Sequence, residues 1–142
     1  MAKNKLEITY DYDLPLMALN ANVKPYKLAW SINQEMGLAL TKKKNLDIGF
    51  TGGKVLSIVN YDDINEFRII RLLRNRAEES EVQFDAFIVP EMKNFDYFII
   101  LENESQTLDE NAFFTKIKQI PFVQFATKVD IKSLKSRDNL IF

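Results

Sequence analysis

The sequence predicts an α+β domain: a single, largely antiparallel sheet of roughly five to seven strands packed by two main helices. Three observations lead there. Apolar runs of strand length recur along the chain, separated by short turn-forming stretches. Two other segments repeat their apolar residues at helical spacing, each with a helix stop at its end. These two segments lie towards opposite ends, so the strands between them connect mainly to one another. At 142 residues the chain fits one domain, 1–142, with residues 136–142 as a tail docking on that domain or on a partner. A chain of this size buries about two-thirds of its unfolded surface and folds without covalent staples.

Each element has a local reason. Lys5 to Tyr12 alternates, with Leu6, Ile8, Tyr10 and Tyr12 on one face, as a half-buried strand does. Asp13 to Asn22 is apolar but broken by Pro15, so a short strand and a loop both fit it. Pro25 suits a first helical turn. Leu28, Ala29, Ile32 and Met36 then follow at helical spacing until Gly37, which predicts a helix over 25–36. Leu46 to Phe50 reads as a strand, Thr51 to Lys54 as a hairpin turn, and Val55 through Tyr61 as the returning strand. Asp62 to Glu66 reads as a turn. Over Asp62 to Arg76 single-sequence propensity slightly favours a helix, with Phe67, Ile70 and Leu73 inside. Apolar density, together with a family resemblance carried by residues 89–97, favours a strand over 67–73, with Arg68, Ile70, Leu72, Arg74 and Arg76 on one face. Glu78 to Glu81 is a charged turn, and Val82 to Val89 returns as a strand. Asn103 to Gln106 is a loop. Thr107-Leu108-Asp109-Glu110 has the form of a capping box. The helix it opens runs to about Ile120, buries Phe113, Ile117 and Ile120, and stops at Pro121. Phe122 to Val129 is the last strand, and Asp130 to Leu134 makes one helical turn.

The stretch from Phe84 to Glu104 organises the rest. Pro90 lacks an N–H and disfavours helix at Val89, so a strand ends there. Met92-Lys93-Asn94 forms a turn. Phe95 to Leu101 follows, apolar on both faces and therefore interior to a sheet. Glu91 is placed to accept N–H groups of the turn or to meet an arginine. Asp96, beside large aromatics, needs a partner. Val89-Pro90-Glu91, Met92-Lys93-Asn94 and Phe95-Asp96-Tyr97 resemble the signature of the IPExxxVDY family of small bacterial proteins. Val89 stands for isoleucine and Phe95 for valine, both apolar. The resemblance extends to Tyr26-Lys27-Leu28-Ala29-Trp30, Asn75-Arg76, Leu134-Lys135-Ser136 and Asn139-Leu140-Ile141-Phe142. It implies an uncharacterised family with no inherited catalytic residues.

Composition narrows the chemistry. The chain holds no cysteine and no histidine. Disulfides, thiolate nucleophiles, cysteine zinc sites, histidine triads and the usual general base near neutral pH are thereby excluded. Net charge is −1 from 19 basic and 20 acidic side chains, which gives no global attraction to nucleic acid or anionic lipid. The N-terminus has lysines without a following apolar stretch, so no signal peptide is expected. No apolar run approaches the roughly 20 residues that cross a bilayer. The expectation is a cytoplasmic, non-catalytic interaction or structural domain, with no cofactor or metal, whose partner is an unknown protein or a second copy.

Five groups of residues bear on that reading. Arg68, Arg71, Arg74 and Arg76, with Lys42, Lys43 and Lys44, could form a phosphate-binding face, giving an RNA-associated alternative. The bland reading is a polar face balanced by nearby glutamates, with the lysines in a solvated loop. Gly49 to Lys54 faintly suggests a phosphate loop but lacks the glycine spacing and the Ser/Thr that would hold magnesium. Asp85, Glu91 and Asp96 could gather around a divalent cation, against a structural role in turn capping plus an ion pair to Arg74 or Arg76. Trp30, off the centre of its helical stripe, reads as core-edge packing, with a partner-facing anchor as the alternative. Leu140, Ile141 and Phe142 should leave water, each gaining on the order of 1.5–3 kcal/mol by burial. They dock on the chain's own core or on a partner. A ligand-sensing pocket between helices and sheet is the third functional alternative.

Overall fold

A computed structural model describes residues 14–50, 54–78, 86–103 and 108–140. Its strands are β1 (Leu16–Ala21), β2 (Thr41–Lys42), β3 (Leu46–Phe50), β4 (Lys54–Ile58), β5 (Asn60–Ile64), β6 (Arg68–Arg74), β7 (Tyr97–Asn103) and β8 (Val123–Val129). The helices are α1 (Pro25–Met36) and α2 (Glu110–Lys118). Six strands form one antiparallel sheet in the order β2-β5-β6-β7-β1-β8. The β3–β4 hairpin stands apart as a second, two-stranded sheet. The α+β class is therefore as expected, with the hairpin outside the main sheet.

Side-chain alternation along the interior strands gives the sheet two apolar faces. Met17, Leu19, Ile70, Leu72, Ile99 and Leu101 share one core with α1 and α2. Leu16, Ala18, Leu73, Phe98 and Ile100 share another with Leu56 and Ile58 of the hairpin and Leu140 near the C-terminus. A strand apolar on both sides is what this three-layer arrangement requires. The same demand overrides helical propensity at Arg68–Arg74, since alternation lets Leu72 and Leu73 enter different cores. Asn65 closes the turn before that strand by accepting N–H bonds from Phe67 (2.8 Å) and Arg68 (2.9 Å).

Helix α1 has the limits its sequence predicts. Pro25 occupies its first turn, and Gly37 ends it at φ +64°, donating its N–H to the Asn33 carbonyl. Only glycine adopts that conformation without a Cβ penalty. Helix α2 is capped by Asp109, whose side chain accepts the Ala112 N–H; Thr107, the first residue of the expected capping box, lies outside the described residues. It buries Phe113, Phe114 and Ile117 and ends at Lys118, with Ile120 buried just beyond.

Several boundaries differ from expectation. Residues 16–21 form an interior strand despite Pro15, which lies before its first residue. The run from Val55 to Tyr61 is two strands, because the chain leaves the hairpin and enters the main sheet at Val59. Asp62 and Asp63 belong to β5 and not to a turn; the turn follows at Asn65. From Ala86 to Val89 the chain makes one isolated bridge, Arg76 with Phe87, in place of a strand. Strand β7 continues through Asn103, where a loop was expected. The expected strand at 5–12, the turn at 51–53, and residues 79–85 and 104–107 lie outside the described residues.

Candidate functional site

The segment from Ile88 to Asp96 is bonded to Asn75. This asparagine follows the last residue of β6 and is fully buried. Its backbone N–H donates to the Asp96 carbonyl (2.9 Å), and its own carbonyl accepts the Ile88 N–H (2.8 Å). Its side-chain Oδ1 accepts the Val89 N–H at 3.0 Å. Its Nδ2 donates to the carbonyls of Met92 (2.9 Å) and Phe95 (3.0 Å). One buried side chain thus supplies the partners that an irregular backbone segment lacks inside a protein.

The motif builds outward from there. Val89 is fully buried in the second core. Pro90 opens a short 3-10 turn, Pro90–Met92, at the position where a missing N–H costs nothing. Glu91 reaches the C-terminal segment: its carboxylate accepts the Ser136 N–H (2.8 Å) and the Ser136 hydroxyl (2.7 Å). Within the turn its own amide also bonds it, as expected, but its main partner is Ser136, and among the described residues no arginine pairs with it. Burial pushes the Glu91 carboxyl upward, but the bonds from its own amide, from Ser136 and from the Lys135 amide outweigh that and hold it below the usual value. Asn139 adds a bond from Nδ2 to the Ile88 carbonyl at 2.8 Å. Leu140 is buried on the domain's own second core. Ile141 and Phe142 lie outside the described residues.

On the other side, Asp96 joins the motif to β1. Its Oδ2 accepts the Ala21 N–H at 2.9 Å, which is the partner its position demands. Phe95 packs against Phe125 with ring centroids 6.0 Å apart. Tyr97 is buried and donates its hydroxyl to the Val23 carbonyl at 2.6 Å. Burial is the main cause that pushes its pKa up to about 12; Arg74 opposes the rise, and Asp96 and Tyr61 add to it. Glu91 and Asp96 therefore serve two different backbone attachments. Among the described residues, no group of three or more acidic side chains is placed to hold a metal ion. Asp85, the third carboxylate of that set, is outside the described residues.

The arginines do not form one face. Arg68 and Arg74 share a side of β6 with Ile70 and Leu72, while Arg71 projects from the opposite side. Arg76 lies beyond the strand, at the bridge to Phe87. Arg68 approaches Asp63 at 3.8 Å. Arg71 and Lys43 flank the buried Asp62 at 3.4 and 2.8 Å. Lys43 therefore has a fixed structural partner. Lys42 donates to Asn45 (3.1 Å) and lies near the Tyr61 ring.

Trp30 differs from the core-edge expectation: it is 61% exposed, and Tyr26, one turn earlier, is 63% exposed. Leu28, Ala29 and Ile32 turn α1 so that this aromatic pair faces outward. A cleft of about 260 Å³ lies between α2 and the ends of β1 and β8, lined in part by Leu14, Glu110, Phe114, Lys128 and Asp130. It falls below the range of about 300–1,000 Å³ typical of small-molecule sites. The sequence reading missed Ser136 and Asn139 as partners of the motif and Asn75 as its hub. The available signal was an asparagine directly after the strand run Arg68–Arg74, where a buried amide must find partners.

No protein-family model matches this chain, and neither does any curated protein or solved structure.

Proposed function

We propose that this chain is a non-catalytic interaction domain: a rigid frame that presents an aromatic anchor to another protein. The observation that carries this reading is the outward pair Tyr26 and Trp30 on α1. Tyrosine and tryptophan bring large contact area with few rotatable bonds, and they dominate the energetic centres of protein interfaces. The partner chemistry that fits is an apolar groove with a hydrogen-bond acceptor at its rim for the indole N–H and the phenol. We also propose that the chain belongs with the IPExxxVDY proteins. What supports that assignment is that Asn75 bonds Val89 and the turn after it, Glu91 bonds Ser136 and Asn139 bonds Ile88, so the quoted segments around residues 75, 89–95 and 136–139 are joined by side-chain bonds. In this reading the motif maintains shape, and recognition belongs to α1.

Affinity capture from native cells with the wild-type chain and with Tyr26→Ala/Trp30→Ala tests the proposal. The expected result is a specific protein retained by the first and lost by the second, with both chains equally folded. Identical retention by the two would overturn the role of the aromatic pair.

A further inference from the structure

The two ends of the main sheet are unlike. Strand β2 has two residues, both exposed, and leads into Lys43 and Lys44. A short, charged edge resists pairing with another strand. Strand β8 has seven residues and pairs with β1 alone among the described residues. It contains no proline or glycine, and Lys128 is its one charged residue. Lysine on an edge strand usually guards it, but Lys128 is drawn back onto α2. Its Nζ donates to Asn111 Oδ1 at 2.6 Å and lies 5.4 Å from the centre of the Phe114 ring.

Taking the chain as an interaction domain, we propose that the outer edge of β8 pairs antiparallel with β8 of a second copy, about a two-fold axis at Thr127. The register of β8 on β1 is regular from Phe125 to Val129 and shifts between Phe125 and Val123, so five residues form an undistorted edge. That run is self-complementary about its centre. Phe125 meets the partner's Val129, Ala126 meets the partner's Lys128, and Thr127 meets its own copy. Aromatic with β-branched and threonine with threonine are favourable cross-strand pairs, and no like charges stand opposite. Phe125, Thr127 and Val129 lie on the sheet face that carries Phe95 and the second core. Pairing would place an apolar neighbour beside Phe125, which is 54% exposed. Of the two ends of the main sheet among the described residues only β8 is long, and a two-fold pairing there uses the same edge on both copies, so it closes as a dimer.

Light scattering of the full chain over a range of concentrations, with Thr127→Lys and Thr127→Glu, tests this. The wild type should approach twice 16.6 kDa. Each variant alone should be a monomer with an unchanged far-ultraviolet spectrum, since like charges then face each other at the axis. Mixing the two variants in equal amounts should restore the dimer. A wild type that stays at the monomer mass would overturn the proposal, as when residues 5–12 or another protein take this edge. A dimer insensitive to Thr127→Lys, or one not restored by mixing, would overturn the two-fold at Thr127. None of these outcomes touches the test of Tyr26 and Trp30, so the failure of one reading is separable from failure of the other.

Discussion

Replacing Asn75 with alanine should be among the most damaging single changes in this chain, although it removes only one small polar side chain. Three hydrogen bonds disappear: the one from Val89 N–H and the two to the Met92 and Phe95 carbonyls. Asn75 and Val89 are both fully buried, so the Val89 N–H has little access to replacement water. A buried group left without a partner costs about 1–3 kcal/mol, and the two carbonyls add about 1 kcal/mol each. The sum is about 3–5 kcal/mol, against about 5–15 kcal/mol for the stability of a typical domain. At about 3 °C per kcal/mol for a chain of this length, Tm should fall by about 10–15 °C. Urea unfolding followed by far-ultraviolet circular dichroism measures it, with a lower midpoint and an unchanged slope. Asn75→Asp is the control. It keeps the acceptor for Val89 but loses both donors and sets a negative charge beside two carbonyl oxygens, so it should lose at least as much. A loss below about 1 kcal/mol for Asn75→Ala would refute the reasoning, because that is the scale of one ordinary solvent-compensated bond.

Four further outcomes are expected. Leu140→Ala should cost about 2–5 kcal/mol in the same assay, the range for emptying a buried leucine site; an effect near zero would contradict docking of this residue on its own domain. The Glu91 carboxyl is held below its usual pKa, so the stability it contributes is present above the ordinary glutamate value and is lost as pH falls through the depressed one. The stability gap between wild type and Glu91→Gln should close over that acidic window, and a gap independent of pH would argue against the Ser136 attachment. The Tyr97 hydroxyl is pushed up to about 12, so its contribution holds below the ordinary tyrosine value and is lost as pH rises through about 12. Tyr97→Phe should flatten the alkaline end of the stability profile. Trp30→Ala should change stability by less than about 0.5 kcal/mol, since the indole lies outside the core.

Much of the frame was legible in the sequence because it rests on local signals. Pro25 and Gly37 mark the limits of α1, and the doubly apolar run after Asp96 marks an interior strand. Where expectation differed, tertiary structure made the decision. Val55 to Tyr61 reads as one strand because no local signal announces that its two halves serve different sheets. Trp30 read as core-edge because helical periodicity gives an angle but not the depth at which the core ends. The arginine set does not make a surface because Arg76, expected to continue the alternation of Arg68 and Arg74, lies past the end of β6 at the bridge to Phe87, while Arg71 projects from the opposite side. The partners of Glu91 and Ile88 were hidden for another reason. Ser136 and Asn139 lie 45 and 51 positions away, and no periodicity carries information over that span.

The central claim is that the motif from Val89 to Tyr97 is a structural clasp closed by Asn75. Amide hydrogen exchange at Val89 tests it most directly. In the wild type this N–H should exchange only through openings close in free energy to global unfolding, and in Asn75→Ala it should exchange far faster than its neighbours in β7. A Val89 amide that exchanges freely in the wild-type chain would contradict the claim.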